Sequence, residues 1–357
     1  MVEVWTHGVA SPRGIKRIAT DLEANGWDGL CVVDSQNLSG DAYVSLAIAA
    51  TVTKQIGLGT AVTNSVTRMA AATAAGIASV DRVSGGRAIL GIGRGDSALA
   101  HLGLAPARLK QFETYVSHLQ TYLRGDAVPF DEIEIPDNIA PSVANLGMAD
   151  EPKESRMEWL AGGRKVPVEI AASGPKVIEI AALHADRIMF TLGADEDRIA
   201  WGIGVAHEAR IKAGLDPDGI AFGAYINCAC SQNMDLSRDL VRGGLATFAR
   251  FSVMHGKPNG PMSGAAENAL RKLHEMYDMR MHTKDDSRQA VALPPEFIDY
   301  FAIVGTPEDC LRRLTRLTAL GLDKLFFGVM FRMLQTPEGI AAKSLMEKEI
   351  LPILKAN

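Results

Sequence analysis

Three turns carry the residue types from which a site for a planar, phosphorylated ligand can be built: Ala61-Val62-Thr63-Asn64, Gly91-Ile92-Gly93-Arg94-Gly95-Asp96-Ser97 and Ser173-Gly174-Pro175-Lys176. Each follows an apolar run with the look of a strand. The alternating glycines of the second turn suit a backbone that approaches a ligand closely or a tight strand exit, with Arg94 available to an anionic group and Asp96 to proton traffic. This spacing is not the GxGxxG of a dinucleotide fold, which also requires an acid at the end of a second strand about 20 residues on. At Ser173-Gly174, free N–H groups at a following helix start suit an anion, with Pro175 in the first turn. A plain serine cap reads the same residues equally well. Thr191, after the next strand, can add a donor to the same anion.

Further candidates sit at other strand ends. Asp34, directly after CVV, is either a loop cap or a site acid. His7 and Arg332 follow the first and last strands. The eight histidines form no HxxxH or HxH pair, so a metal site is not expected. No GxSxG elbow is present, which disfavours that type of serine hydrolase. Cys31, Cys228, Cys230 and Cys310 read as buried structural thiols, since the Cys228/Cys230 spacing is not that of a redox or zinc pair.

The elements that must position these turns alternate. Strands are predicted near 2–6, 28–33, 56–62, 87–92, 167–172, 186–191, 220–230 and 323–329, with helices near 11–25, 41–54, 69–84, 107–124, 175–184, 195–213 and 235–254. Several strands are continuously apolar, as expected when both sheet faces are covered. Eight strands interleaved with helices predict an α/β fold, a (β/α)8 TIM barrel of one domain spanning 1–357. Two aperiodic insertions, about 126–165 and 256–300, are expected after strands on the active-site face.

With 357 residues, 47% of them hydrophobic, the chain can bury a large core. Its net charge of −5 argues against a general nucleic-acid binder. No basic start followed by an apolar run marks a signal peptide, and no stretch reaches the ~20 apolar residues of a membrane span. A cytoplasmic protein with no nucleic-acid or membrane partner is expected.

At these turns the chain resembles the bacterial luciferase-like flavin/deazaflavin oxidoreductase superfamily, in its methylenetetrahydromethanopterin reductase-like branch. The stretches that carry the resemblance are GWDGLCVVDS, IGLGTAVTNSVTRMAAATAAGIASVDRVSGGRAILGIGRGDSA, PVEIAASGPKVIEIAALHADRI and FAIVGTPEDCLRRLTRLTALGLDKLFFG. The resemblance implies a flavin-type ring at the strand exits, a small-molecule substrate, and a homodimer or homotetramer. It implies a cis peptide at Ala61-Val62 behind the ring, with Asp34 and Asn64 hydrogen-bonded to it. Ala172, Ser173, Gly174 and Thr191 fall on the phosphate side, and Asp96 and Ser97 within reach of ring or substrate. Ser35 stands where several relatives carry a histidine, which leaves Asp34, Asp96 or His7 to move protons. Arg94 falls where luciferase-like monooxygenases hold the FMN phosphate. The implied cofactor is therefore coenzyme F-420, for hydride transfer, or FMN, for monooxygenation. A barrel that binds a ligand without catalysis is the alternative of another class; a metal-dependent barrel hydrolase is a third.

Overall fold

A computed structural model describes residues 2–136, 138–328 and 336–356. Arg332 lies outside the described residues. Eight parallel strands close on themselves: β1 (Glu3–Gly8), β2 (Gly29–Val32), β3 (Gly57–Thr60), β4 (Ala88–Gly93), β5 (Val168–Ala172), β6 (Arg187–Phe190), β7 (Ala221–Ile226) and β8 (Lys324–Phe327). β8 pairs with β1 and β3 with β4, which shuts the barrel. The expected (β/α)8 barrel is present, and all eight predicted strands are found.

Alternation along the strands sorts two cores. Side chains on the outer face, such as Val4, Leu30, Leu58, Leu90, Ile170 and Ile188, pack against the surrounding helices. Those two positions apart on the inner face fill the lumen: Trp5, Cys31, Ile89, Met189, Tyr225 and Phe326. One layer lower, Glu169 meets Lys324 at 2.9 Å and Arg187 at 2.6 Å, while the Lys324 ammonium lies 3.5 Å from the Trp5 ring centroid. Two glycines make room for that indole. A Cβ at Gly29 would stand 1.9 Å from Trp5, and one at Gly57 2.4 Å from it. The lower lumen is thus filled by side chains, as in other barrels of this kind.

Helix starts follow the chain's local chemistry. Thr306 caps Pro307–Thr318 by accepting from the Asp309 N–H at 3.3 Å. At Ser11-Pro12 the helix begins later than the sequence predicts, at Ile15; Ser11 Oγ instead accepts from the Gly14 N–H in a preceding turn. The predicted strand 220–230 divides. After β7, Cys228–Cys230 leaves the barrel to pair with Ile303–Gly305. All four cysteines are buried and unpaired.

The first insertion departs from expectation. It follows the helix Leu109–Arg124 rather than β4, so it emerges at the end of the barrel opposite the strand exits. Its residues grip the far end of the helix Ala70–Ser84: Arg164 pairs with Asp81 at 2.7 Å, and Arg82 lies over the Trp159 ring at 5.0 Å. The second insertion begins on the expected side, where Asn259 faces Gly174. It contains the helices Gly264–Met276, Arg288–Val291 and Pro295–Phe301.

Candidate active site

The Ala61-Val62 peptide bond is cis, as the resemblance implies. Both residues pack on the lumen cluster. Val62 lies against the exit of β4: a Cβ on Gly93 would stand 3.3 Å from it, and 4.0 Å from Ala171 on β5. The β4 glycines make room for the chain's own atoms here. A Cβ at Gly91 would sit 2.1 Å from the Thr60 carbonyl oxygen, and Gly95, at φ +91°, faces Leu99. The alternating pattern therefore serves a tight strand exit, and the peptide it supports faces the mouth.

Asp34 is buried at the exit of β2, where its Oδ2 accepts from Thr63 Oγ1 at 2.7 Å and pairs with Arg68 at 2.6 Å. Arg68 reaches on to Asp41 at 2.7 Å and lies 4.9 Å from the Tyr43 ring centroid. The cap and site readings of Asp34 are thereby joined, since one oxygen ties the β2 and β3 exits together. Neither Thr63 nor Arg68 was anticipated as a partner; both lie within the Ala61–Arg68 stretch. Arg68→Met strands the Asp34 charge and is expected to cost about 1–2 kcal/mol. Urea denaturation measures it, and an unchanged midpoint would show the pair to be dispensable.

Asn64 Oδ1 accepts from the N–H groups of Val66 and Thr67, both at 3.0 Å, while its Nδ2 is buried without a partner among the described residues. Ser97 Oγ lies 3.3 Å from Ser35 Oγ, bridging the β2 and β4 exits at the position where a histidine is missing. Arg94 Nε donates to the Ala107 carbonyl at 2.6 Å, and no carboxylate pairs with its guanidinium among the described residues. Burial lowers the pKa of Arg94.

Asp96 pairs with Arg250 at the end of the helix Met234–Phe251, and its Oδ2 is buried without a hydrogen-bond partner among the described residues. Arg250 lies 4.8 Å from the Tyr277 ring centroid, and the Tyr277 hydroxyl contacts His282 Nδ1 at 2.8 Å. Burial pushes the Tyr277 phenol up to about 12 and pulls the His282 imidazole below its ordinary value; the Asp96 charge opposes the latter. Sequence reasoning missed Arg250, Tyr277 and His282. The last two come from the aperiodic insertion, which offers no pattern to mark them.

His7 ends the lumen side of β1, stacked on Phe326 with centroids 6.1 Å apart. It keeps some accessible surface at the mouth, yet burial lowers its pKa to about 4, so the ring is neutral at pH 7. At the other side of the mouth, Ser173 Oγ donates to the Phe251 carbonyl at 2.9 Å. Gly174 starts the helix Pro175–His184 without a side-chain cap. Ala172 is buried, and its carbonyl accepts from the Thr191 N–H at 2.9 Å and from Thr191 Oγ1 at 3.3 Å. No group of histidine, cysteine and carboxylate side chains able to hold a metal occurs among the described residues. None of the described helices is long and apolar enough to cross a membrane.

A closed parallel barrel with its helices outside, whose strand exits gather a cis peptide and an uncapped helix start, defines the class: a (β/α)8 protein. The profile of the luciferase-like monooxygenase family matches residues 2–324, and the chain belongs to that family. A 5,10-methylenetetrahydromethanopterin reductase of Archaeoglobus fulgidus is 28% identical over 337 residues, covering 93% of each chain. The coenzyme F-420 dependent tetrahydromethanopterin reductase of Methanopyrus kandleri superposes with a TM-score of 0.72 at 19% identity over 99% of both chains. An EDTA monooxygenase from a Chelativorans species gives 0.62 at 14% identity, covering 99% of this chain and 94% of its own. These two structures share the fold.

Proposed function

We propose that this chain is an oxidoreductase that passes hydride between reduced coenzyme F-420 and a small organic substrate. The observation that carries the reading is that Val62, Asp96 and Gly174 follow neighbouring strands, β3, β4 and β5, at one end of one barrel. The coenzyme F-420 dependent reductase structure, matched over nearly the whole chain, and the reductase relative of Archaeoglobus fulgidus support this reading.

The residues present fit such a ring. Asn64 Nδ2, Asp96 Oδ2 and Asn227 Nδ2 are buried at strand exits without partners among the described residues, as expected of groups that complete their hydrogen bonds with a ligand. Ala61 and Val62 would back the ring. Asn64 and Asp34 would face its polar edge, and Ser173, Gly174 and Thr191 its phosphate. When bound, the deazaflavin supplies hydride transfer without oxygen activation. The chain's part is to orient, to exclude water and to manage charge. The apolar lumen of Tyr225, Met189 and Phe326 closes the mouth from below. His7 is uncharged at neutral pH and a poor proton source, which leaves Asp34, held by Arg68, and Asp96, held by Arg250, as the acids beside the site.

FMN-dependent monooxygenation is the second reading, favoured by the family and by Arg94, which no carboxylate engages among the described residues. Adding each reduced cofactor separately to apo-protein decides between them. Trp5 lies in the lumen beneath the mouth, so a bound ring quenches its fluorescence. Saturable quenching by coenzyme F-420 and none by FMN is expected; the reverse would make the chain an oxygenase. Binding without turnover of any substrate would leave a ligand-binding barrel. In the same titration, Ser173→Asp is expected to weaken the phosphorylated cofactor at least about tenfold through charge repulsion. Equal affinity would remove Ser173 from the phosphate side. The reading also carries a cytoplasmic homodimer or homotetramer, supported by the exposed apolar residues Val44 and Val83 on the helices Ala42–Ala50 and Ala70–Ser84, and Met69 just before the second.

A further inference from the structure

Asn227 follows β7 directly and is only 2% exposed. Its side-chain Nδ2 is buried with no hydrogen-bond partner among the described residues. A buried donor left without an acceptor destabilises a fold, so such a group calls for an explanation. Its direction follows from the strand. Tyr225 points into the lumen, while Ile226 and Cys228 pack outside. The two-residue alternation therefore turns Asn227 inward, one layer above Tyr225. Two glycines border the amide. A Cβ on Gly244, in the helix Met234–Phe251, would stand 3.0 Å from Nδ2, and one on Gly328, just after β8, 3.4 Å from it. The same helix brings in Phe248, which would lie 3.1 Å from a Cβ on Gly328 and has its ring centroid 5.8 Å from that of Tyr225.

Register places this amide in a row. Phe327 of β8 pairs with Ile226 of β7 and with Thr6 of β1. The next residues, Asn227, Gly328 and His7, therefore stand side by side at the strand exits. His7 faces the lumen as Asn227 does, stacked on Phe326, and is uncharged at pH 7. Gly328 adds no side chain between them. The row lies across the barrel from the exit that carries Val62, because β7 and β3 are diametrically placed in the closed ring of strands. It also holds no free charge. Asn227 and His7 are neutral, Phe248 is apolar, and Arg250, two residues past Phe248, is already paired with Asp96. An anion brought here would exchange its hydration for neutral dipoles alone, whereas an uncharged acceptor would satisfy Nδ2 without that cost.

We propose that Asn227 selects the substrate: its Nδ2 donates to the acceptor atom, a carbonyl oxygen or a ring nitrogen, of an uncharged organic molecule held on the side of the mouth opposite Val62. That the ring lies between this molecule and Val62 rests on the flavin-type reading above; that the Asn227 amide serves a ligand rather than the fold does not. Carboxylates and phosphates are the classes this row turns away.

Thermal melting of the apo-protein separates a ligand group from a structural one. Asn227→Leu roughly keeps the volume and removes the amide, and it is expected to melt at or above the wild-type temperature. A folded variant that melts several degrees lower has lost a structural amide, which overturns the proposal. Cyclohexanecarboxamide and cyclohexanecarboxylate, alike in shape and different in charge, test the substrate class by ligand-observed NMR titration of the protein with coenzyme F-420. The carboxamide is expected to bind the wild type in preference to the carboxylate, and to bind Asn227→Leu about tenfold more weakly. Equal carboxamide binding by the two proteins overturns the role of Asn227. A wild type that prefers the carboxylate, or takes neither compound, overturns the substrate class. Quenching by coenzyme F-420 is expected to be the same in Asn227→Leu and wild type; a parallel loss would put Asn227 on the ring and overturn the proposal. If Asn227→Leu does not fold, Gly328→Ala decides, since its methyl crowds the amide without removing it. Weakened carboxamide binding by that variant upholds the assignment and unchanged binding overturns it. If neither cofactor binds, the flavin-type reading fails, and the melting and the titrations, run on apo-protein, still decide the role of Asn227.

Discussion

Gly91→Ala is expected to destabilise the protein by about 3 kcal/mol or more and to abolish quenching by the cofactor. The added methyl would stand 2.1 Å from the Thr60 carbonyl oxygen and 3.2 Å from its carbon, both backbone atoms that no rotamer change can move. Thr60 is also fixed by its own side chain, since Oγ1 donates to the Gly91 carbonyl at 2.7 Å. Relief requires β3 and β4 to separate, and that displaces Ala61 and Val62 with them. Gly204→Ala is the control. A Cβ there meets nothing within 4 Å, and the residue lies inside the helix Glu196–Lys212, so a neutral or slightly stabilising effect is expected. Thermal melting and cofactor titration of the two variants check this. A Gly91→Ala protein that melts and binds like the wild type would show that the strand exits do not set the mouth.

The second large effect is the dependence of stability on acid. The folded His7 has its pKa lowered from 6.5 to about 4 by burial. Between those values the unfolded chain binds the proton and the folded chain does not, so stability falls as pH drops through this window. Above pH 6.5 both states are neutral and the penalty is absent. The full difference corresponds to about 3 kcal/mol, an upper figure for a residue at the barrel mouth. His282 is also pulled down by burial and adds to the same slope, so the measurement is a comparison. Urea denaturation from pH 4.5 to 7.5 is expected to show a shallower slope for His7→Phe than for the wild type. Parallel profiles would mean that His7 accepts a proton freely in the folded protein.

The barrel is legible because its strands are short apolar runs between amphipathic helices, a pattern that survives without any knowledge of partners. GLCV and AILGIG have to be buried on both faces, and they are. Side-chain roles at the strand exits are read less completely. Asp34 and Asp96 are legible as acids at strand exits, but Arg68 and Arg250, which hold them, come from elsewhere in the chain and leave no local signal. Asn227 lies inside the run predicted as one strand, 220–230, and only the division of that strand places it at an exit. The placement of the first insertion fails for a simple reason. The helix Leu109–Arg124 stands between it and β4, so the chain has already returned to the far end of the barrel when the insertion begins. The cis peptide at Ala61-Val62 has no signature in periodicity and was reached through the resemblance alone.

The pairing of Cys228–Cys230 with Ile303–Gly305 acts as a clasp. Everything from Ser231 to Ala302 departs from and returns to one small two-stranded junction, locked further by hydrogen bonds from Ile303 N–H to the Asn227 carbonyl and from Ser231 N–H to the Gly305 carbonyl. Changes of length or sequence inside that excursion need not disturb the register of β7 or β8. The part of the molecule that supplies Arg250, Asn259, Tyr277 and His282 is therefore an exchangeable cassette, free to diversify while the hoop of strands beneath it stays constant.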